Sequence, residues 1–166
     1  MDEKSIQDEV IERFVTTWYA TPAFAVDRYL DVRAANTQAS EVLGLRRGVN
    51  VARVLYLEPH KVPGGASDLT LRQAVAGSLR EAVARYGPDT RFEGVLGELL
   101  ALSPSFASDF ARWSASLPLG QVRCSTVGGR RFDFYVFDAP RSAELRLVVL
   151  RAASGDHNLN LPMNDI

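Results

Sequence analysis

Apolar and polar residues alternate in residues 21–36, and this alternation predicts a β-hairpin. Phe24 and Val26 would share one face of the first strand, and Val32 and Ala34 would share one face of the second. A period of two residues is typical of half-buried strands. The charged residues between the two runs predict a solvated turn.

Asn36 follows the hairpin pattern and is a favoured N-cap residue. Gly44 stands where a glycine commonly follows the last turn of a helix, so a short helix is predicted between the two. If capping were its only role, replacing Asn36 with Ala would lower stability by about 0.5 to 2 kcal/mol. We expect no ligand contact from Asn36.

The N-terminal residues 1–20 carry apolar side chains at helical spacing and predict an amphipathic helix. Ser5 with Asp8 resembles a capping box and favours a helix start near Ser5. Two interpretations stay open: the apolar stripe packs on the domain's own sheet, or part of it is a linker or dimer helix. The stripe consists of Ile6, Val10, Ile11, Phe14 and Trp18.

Helical patterns also occupy the middle of the chain. Thr90 with Glu93 predicts a capping box, and Ser103 before Pro104 predicts a cap followed by a first-turn proline. The predicted helices cover residues 51–57, 68–86, 90–102 and 103–114.

Glycines mark two places in this helical part where the chain departs from a plain helix. Gly94 and Gly97 weaken the helix that holds them, but they would let a ligand or another backbone come close. The proline and glycines of residues 60–68 predict a loop, which we interpret as a mobile flap.

The last third of the chain returns to a period of two residues. Residues 121–126 and 132–137 predict a second hairpin, and residues 145–150 are apolar on both faces, as in a central strand. The order of helix, two strands, several helices and three strands indicates an α+β domain with one antiparallel sheet. This is the plan of a PAS-like domain: a five-stranded antiparallel sheet, a helical insert between strands 2 and 3, and an N-terminal amphipathic helix. The last strand would lie beside the first hairpin.

Charge and composition narrow the function classes. The 166 residues fit one domain, and a formal net charge of -1 with both signs interspersed leaves no basic field for nucleic acid. The single cysteine cannot form an intramolecular disulfide, and the N-terminus lacks the apolar run of a secretory signal. No stretch reaches the roughly 18 apolar residues of a membrane span. A cytoplasmic location is therefore expected.

Catalytic chemistry is not indicated by the titratable residues. His60 lies in a predicted loop and His157 in the tail, and neither has metal-ligand spacing. Cys124 has no histidine nearby in the chain and is interpreted as a packing residue. Asp27 and Asp31 fall at a turn that would solvate both carboxylates. We therefore expect no enzyme activity, no metal and no cofactor.

The apolar residues of the predicted helices and strands favour a small-molecule binding site. Apolar helix stripes opposite a curved sheet would enclose an apolar cavity if the helices stand off from the sheet, and would fill a core if they do not. An arginine at the rim, Arg53 or Arg112, would pair with a carboxylate head group. The apolar candidates for ligand binding are Phe24, Val26, Tyr56, Val75, Leu79, Val83, Leu96, Leu100, Phe106, Phe110, Phe134 and Val136.

Four phrases of the chain resemble the MmyB-like ligand-binding domain that ends a large class of bacterial helix-turn-helix (XRE-type) transcription regulators. They fall in the family's order and span about four fifths of the chain. The phrases are TPAFAVDRYLDVRAAN at residues 21–36, NVARVLYLEP at residues 50–59, GELLALSPSFASDFARW at residues 97–113, and the closing strand LRLVVL.

The resemblance implies a PAS-like fold with a pocket for a fatty-acid-like or other apolar small molecule. It also implies transcriptional control through a helix-turn-helix domain that is not in this chain, so DNA would be contacted only through that domain. A homodimer is expected as well, with the entry helix as a candidate dimer helix. The expected organisation is an N-terminal linker or dimer helix at residues 1–20, the ligand-binding domain at residues 21–153, and a flexible tail at residues 154–166.

Two functions from different classes follow. In the first, the domain is a sensor whose ligand biases the entry helix. In the second, it is a ligand-free PAS-like module for dimerisation or protein interaction, with a filled core. A small enzyme is disfavoured because activated polar groups are lacking.

Overall fold

A computed structural model describes residues 3–64, 69–112, 124–139, 142 and 144–153. The helices are α1 (Glu3–Thr17), α2 (Thr37–Leu43), α3 (Val51–Tyr56), α4 (Leu69–Tyr86), α5 (Thr90–Leu102) and α6 (Pro104–Ala111), with one 3-10 turn at Pro59–Lys61. The strands are β1 (Ala23–Val26), β2 (Val32–Ala35), β3 (Cys124–Val127), β4 (Arg130–Asp138) and β5 (Arg146–Ala152). The predicted α+β class and element order are confirmed.

The five strands form one antiparallel sheet in the order β2-β1-β5-β4-β3. The last strand lies between the two hairpins, where Val148 pairs with Phe24 of β1 and with Val136 of β4. This confirms the prediction that the strand from Leu145 lies beside the first hairpin. Central position explains why β5 is apolar on both faces.

Both faces of the sheet are covered, but by different helices. Phe24, Val26 and Val148 face the main core, which they share with side chains of α2 to α6. Ala25 and Ala34 face the other way and belong to a second, smaller core under α1. The alternation along β1 therefore separates two apolar layers, which is why all four residues of β1 are buried. In β2, Val32 belongs to the main core and Ala34 to the second core, so the prediction that they share one face is wrong; the pairing with β1 shifts its register between Ala25 and Val26.

Helix α1 packs on the sheet through a face that the sequence pattern did not identify. Ile11 and Val15 are buried against the second core. Ile6, Val10 and Phe14 lie on a different face and are 47%, 61% and 44% exposed. The predicted stripe therefore mixed two faces. The predicted start at Ser5 is also wrong, because Ser5 lies inside α1.

The helix caps confirm most of the local predictions and correct one. Asn36 caps α2, and Gly44 ends it in the left-handed conformation with φ of 68°. The cap of α5 is Asp89, whose side chain accepts a hydrogen bond from the Phe92 N–H, so the predicted box starting at Thr90 is one residue late. Ser103 caps α6 as predicted, and α6 ends at Ala111. The residues after 112 of that predicted helix lie outside the described part.

The turn of the first hairpin is half-buried rather than solvated. Asp27 Oδ1 accepts hydrogen bonds from the backbone N–H groups of Tyr29 and Asp31, each at 3.0 Å. The Tyr29 ring lies 4.6 Å from that of Phe92 in α5, and Leu30 is 4% exposed. Leu30 has φ of 65°, a conformation that costs energy for a leucine. Its buried side chain and the closed turn hold that conformation in place.

Asn36 does more than cap a helix. Its Oδ1 accepts from Ala39 N–H at 2.9 Å and from Ala23 N–H at 3.0 Å. Its Nδ2 donates to the carbonyls of Trp18 and Thr21 at 2.8 and 2.9 Å. The side chain is 5% exposed. One buried amide therefore joins the segment after α1, the start of β1 and the first turn of α2.

Asn50 likewise joins a helix N-terminus to the hairpin, at the end of the hairpin that holds the turn. Its Oδ1 accepts from Arg53 N–H at 3.2 Å and caps α3. Its Nδ2 donates to the Tyr29 carbonyl at 2.8 Å and to Asp31 Oδ1 at 2.9 Å. The first turn of α3 is therefore tied to the turn of the hairpin.

The predicted flap is packed against the domain where the structure describes it. Val62 is 2% exposed and belongs to the main core. Gly64 lies against the Gly128 backbone, where an added Cβ would come within 2.9 Å of the Gly128 carbonyl oxygen. Only a glycine fits so close an approach. The remaining residues of the predicted flap, 65–68, lie outside the described part.

Replacing Asn36 with Ala is expected to lower the free energy of unfolding by about 3 kcal/mol, more than a cap alone, because buried backbone groups lose their partners. Asn36→Ser keeps an oxygen for the Ala39 N–H and should give a smaller loss. Urea denaturation measures both. If Asn36→Ser were as stable as the wild type, capping would be the whole role of this residue.

Burial raises the pKa of Asp27. This effect outweighs the two backbone hydrogen bonds that the carboxylate accepts and the Arg33 guanidinium 3.7 Å away, which lower the pKa. The folded state therefore binds this proton more tightly than the unfolded state, so Asp27 favours folding more as the pH falls. Asp27→Asn keeps the Oδ1 acceptor and removes the titration. We expect the wild type to gain stability relative to Asp27→Asn between neutral pH and about pH 4.

This comparison uses urea denaturation of both proteins across that pH range, with the difference between their unfolding free energies plotted against pH. Other titrating groups cancel in the difference. A difference that stays constant, or that moves in favour of the variant at low pH, would contradict the raised pKa of Asp27.

Candidate functional site

A cleft of about 500 Å³ lies between α3, α5 and the connection from α2 to α3. This volume lies within the roughly 300 to 1,000 Å³ of small-molecule sites. The lining residues are Asp31, Gly44, Arg46, Gly48, Val49, Asn50, Arg53, Val54, Glu58, Lys61, Arg91, Gly94, Val95 and Glu98.

The floor of this α3–α5 cleft is apolar and continuous with the main core. Val54 of α3 is 1% exposed and Val95 of α5 is 4% exposed. Both line the cleft and both belong to the core cluster that also contains Phe24 and Val26. A molecule in the cleft would therefore meet the outermost layer of the core.

The rim of the cleft is made of ion pairs that join separate elements. Arg53 Nη1 of α3 lies 2.9 Å from Glu98 Oε1 of α5. Arg91 donates to both carboxylate oxygens of Asp31 at 2.6 and 2.7 Å, which ties α5 to the first hairpin. These pairs are charge-assisted, but their exposure to solvent limits the stability that each contributes.

A third pair closes the end of the cleft next to the 3-10 turn. Lys61 Nζ lies 2.7 Å from Glu58 Oε1, and the Lys61 hydrogen bond holds the pKa of the Glu58 carboxyl below its usual range. Glu58 therefore stays ionised at neutral pH.

Gly94 leaves one wall of the cleft open. It lies in the second turn of α5, and a Cβ added there would meet no atom within 4 Å. Gly97 is also open around its Cβ position but does not line the cleft. The expectation that one of these glycines makes room for another molecule fits Gly94.

The apolar residues predicted to bind ligand lie mainly in the main core. Phe24, Val26, Tyr56, Val75, Leu79, Phe106 and Phe134 are buried there, and Val83, Leu96, Phe110 and Val136 pack against it while partly exposed. The exception is Leu100, which is 45% exposed and lies outside that cluster. The prediction that Leu100 faces the interior is wrong, since its neighbour Leu99 fills that position at 0% exposed.

The two predicted rim arginines occupy different environments. Arg53 lines the α3–α5 cleft. Arg112 is exposed at the end of α6 and is not part of the cleft lining. The structure therefore brings Arg53, and not Arg112, to the α3–α5 cleft.

A buried polar cluster lies deeper, between α3, α4 and α6. The Tyr56 hydroxyl lies 2.6 Å from the Arg72 carbonyl and 2.9 Å from Asp109 Oδ2. Burial, and then the hydrogen bond with Asp109, raise the pKa of Tyr56. The hydroxyl therefore stays protonated and acts as a donor. Tyr56, predicted as an apolar lining residue, anchors α3 to its neighbouring helices through its polar end.

Sequence reasoning missed Arg46, Arg91, Asp31 and Glu98 as cleft residues. All four are charged residues in helices or turns, where most charges are solvated. Asp31 and Arg91 meet across 60 positions of sequence. The one local signal was Gly94, because a glycine inside a helix often has a packing or functional reason.

The other described residues considered for catalysis or metal binding, His60 and Cys124, do not line the cleft. Within the described residues, no cluster of three or more histidine, cysteine or acidic side chains is placed to hold a metal ion. His60 is exposed, and Cys124 is half-buried on edge strand β3 with its Sγ 3.0 Å from Arg131 Nε. His157 lies outside the described part. Among the described helices, none is both long and apolar enough to cross a membrane.

A second recess, of about 110 Å³, lies between α1 and the first hairpin. Its charged groups face one another: Arg33 pairs with Asp8 of α1 at 2.7 Å, and Arg28 lies 3.6 Å from Glu144. The buried aliphatic side chain in its lining is Leu145, which belongs to the second core. The Arg33–Asp8 pair joins α1 to the sheet.

The comparison with known families matches the model described as MmyB-like transcription regulator ligand binding domain to residues 8–159. No curated protein matches the chain. The family is a ligand-binding domain of regulators rather than an enzyme family, and the resemblance carried by the four phrases of the sequence is confirmed. Because the match spans most of the chain, the protein belongs to the family of MmyB-like transcription regulator ligand-binding domains.

Proposed function

We propose that this ligand-sensing domain binds a fatty-acid-like molecule through the α3–α5 cleft. The head group would lie at the polar rim of the cleft, and the apolar chain would enter between α3 and α5 toward the sheet. The observation that carries the proposal is the pairing of a charged rim with a floor of core residues, Val54 and Val95. Amphipathic ligands match such a division.

The proposal gives the predicted apolar residues a role beyond the core. Phe24, Val26 and Val136 line the sheet beneath the helices and belong to, or pack against, the cluster that reaches the cleft floor. An apolar chain that passed the floor residues Val54 and Val95 would meet these side chains next. The Arg53–Glu98 pair joins the two helices that would have to separate.

Ligand binding would act on the regulator through the difference between two arrangements of these helices. A ligand shifts such an equilibrium only by its differential affinity for the two states. A molecule inserted between α3 and α5 contacts both helices and favours the arrangement in which they stand apart. DNA contact would come through a helix-turn-helix domain not in this chain, in the compartment that holds the DNA.

The experiment extracts the purified protein with organic solvent for mass spectrometry and titrates the delipidated protein with decanoate by calorimetry. We expect a bound apolar acid, or decanoate binding with a raised melting temperature. Gly94→Phe should fill the cleft and weaken decanoate binding at least about tenfold, whereas Gly97→Phe should bind like the wild type. Both variants should stay folded, because each replaces a helical glycine in open space.

Two outcomes would contradict this function. The first is a lipid-free protein whose melting temperature decanoate does not move. The second is equal decanoate affinity in Gly94→Phe and Gly97→Phe, which would place the ligand away from the α3–α5 cleft.

We further propose that the domain forms a homodimer through α1. Ile6, Val10 and Phe14 are spaced four residues apart, so they form one exposed apolar stripe on α1. The same helix is held on the sheet by Ile11 and Val15, so the stripe stays available for a second copy. If no ligand bound, this surface would support the alternative function, a dimerisation or protein-interaction module.

Val10→Glu is expected to weaken the dimer, because it places a charge within the apolar stripe. Sedimentation equilibrium over a range of concentrations measures this. Thr16→Glu is the control, since Thr16 is exposed on another face of α1. A monomer at all concentrations in the wild type, or equal effects of the two substitutions, would contradict dimerisation through α1.

A further inference from the structure

We propose that Arg46 is the residue that selects an anionic head group, so that the α3–α5 cleft prefers a ligand with a single negative charge over its neutral analogue. This inference rests on the proposed ligand-binding function of the cleft. It assigns the selection to a residue other than the sequence-predicted Arg53.

The cationic and anionic side chains that line the cleft are unequal in number. Among the described residues that line it are four cationic side chains and three carboxylates. Arg53 pairs with Glu98, Lys61 with Glu58, and Arg91 with Asp31, at N–O distances between 2.6 and 2.9 Å. Each carboxylate is therefore already matched to one cation. One positive charge is left over.

The excess charge belongs to Arg46. Its side chain is exposed, and within the described residues its guanidinium makes no ion pair, whereas its neighbour Arg47 pairs with Glu12 of α1 at 2.6 Å. A guanidinium without a carboxylate partner keeps its donors available for a ligand. Arg53 would first have to give up Glu98.

The backbone places Arg46 at the cleft mouth. Gly44 and Gly48 flank it, both line the cleft, and both have positive φ, at 68° and 86°. An added Cβ at Gly44 would collide with the Lys61 carbonyl oxygen, so the backbone of the connection packs directly against the 3-10 turn there. Arg46 is therefore presented on a connection whose first residue is fixed.

This arrangement defines the ligand class. A monocarboxylate would neutralise the single excess charge and leave the three existing pairs intact. A dianion would have to compete with Glu98 or Glu58 for a second cation, and a neutral head group would leave Arg46 without a partner. The cleft thus fits an acid with one ionised group attached to an apolar chain.

The test compares decanoate with decanol by calorimetric titration of three proteins: the wild type, Arg46→Gln and Arg47→Gln. We expect the wild type to prefer decanoate, and Arg46→Gln to bind decanoate about five- to tenfold more weakly, as for the loss of a partly exposed ion pair. Decanol affinity should not change in Arg46→Gln. Arg47→Gln, which removes a neighbouring charge outside the cleft, should bind decanoate like the wild type.

The outcomes separate this inference from the function on which it rests. If the wild type binds decanol as tightly as decanoate, or if Arg46→Gln leaves decanoate affinity unchanged, selection by Arg46 is wrong while an apolar-ligand sensor stands. If neither decanoate nor decanol binds the wild type, both the sensor proposal and the role of Arg46 are wrong. An equal loss in Arg46→Gln and Arg47→Gln would indicate a general charge effect and would also overturn the assignment.

Discussion

The structure depends on two buried asparagines that satisfy the backbone of a very short hairpin. Strands β1 and β2 have only four residues each, so their ladder leaves several backbone groups without strand partners. The side chains of Asn36 and Asn50 form hydrogen bonds with backbone groups where the ladder ends. Each side chain also caps a helix. Unpaired buried amides cost about 1 to 3 kcal/mol each, so this hairpin without its asparagines would be unstable.

The same constraint produces the cleft. Asn50 holds α3 against the hairpin turn through Asp31, and Arg91 brings α5 to the other side of that carboxylate. Asp31 thus fixes two helices around one point, and they close again only where Val54 and Val95 enter the core. The recess between them follows from where the hairpin ends. The shape of the recess therefore depends on the Asp31 carboxylate, which accepts hydrogen bonds from both Asn50 and Arg91, and not on apolar packing alone.

Local patterns were sufficient to predict the hairpins, the long helix, the cap at Asn36 and the family. They were not sufficient for contacts between distant residues: Arg53 meets Glu98 across 45 positions, and nothing near either residue indicates the other. The buried face of α1 could not be predicted, for a related reason. The apolar residues of α1 form two stripes, and only tertiary packing determines that Ile11 and Val15 are the buried ones. Periodicity identifies a helix but not which of two apolar faces meets the sheet.

The connection between α2 and α3 links the cleft to α1 more directly than the core does. Arg46 lies at the cleft, Arg47 pairs with Glu12 of α1, and Gly48 donates its backbone N–H to the Val32 carbonyl of β2 at 2.9 Å. A path through the core would require close-packed side chains such as Leu79 and Phe106, both 0% exposed, to rearrange. The backbone of the connection is anchored as well, because Leu45 is 2% exposed in the main core, but a change in the pairing of the exposed Arg46 and Arg47 side chains costs far less. Under the proposed function, adjacent arginines that face the cleft and the N-terminal helix would therefore provide the shorter physical route from binding to response.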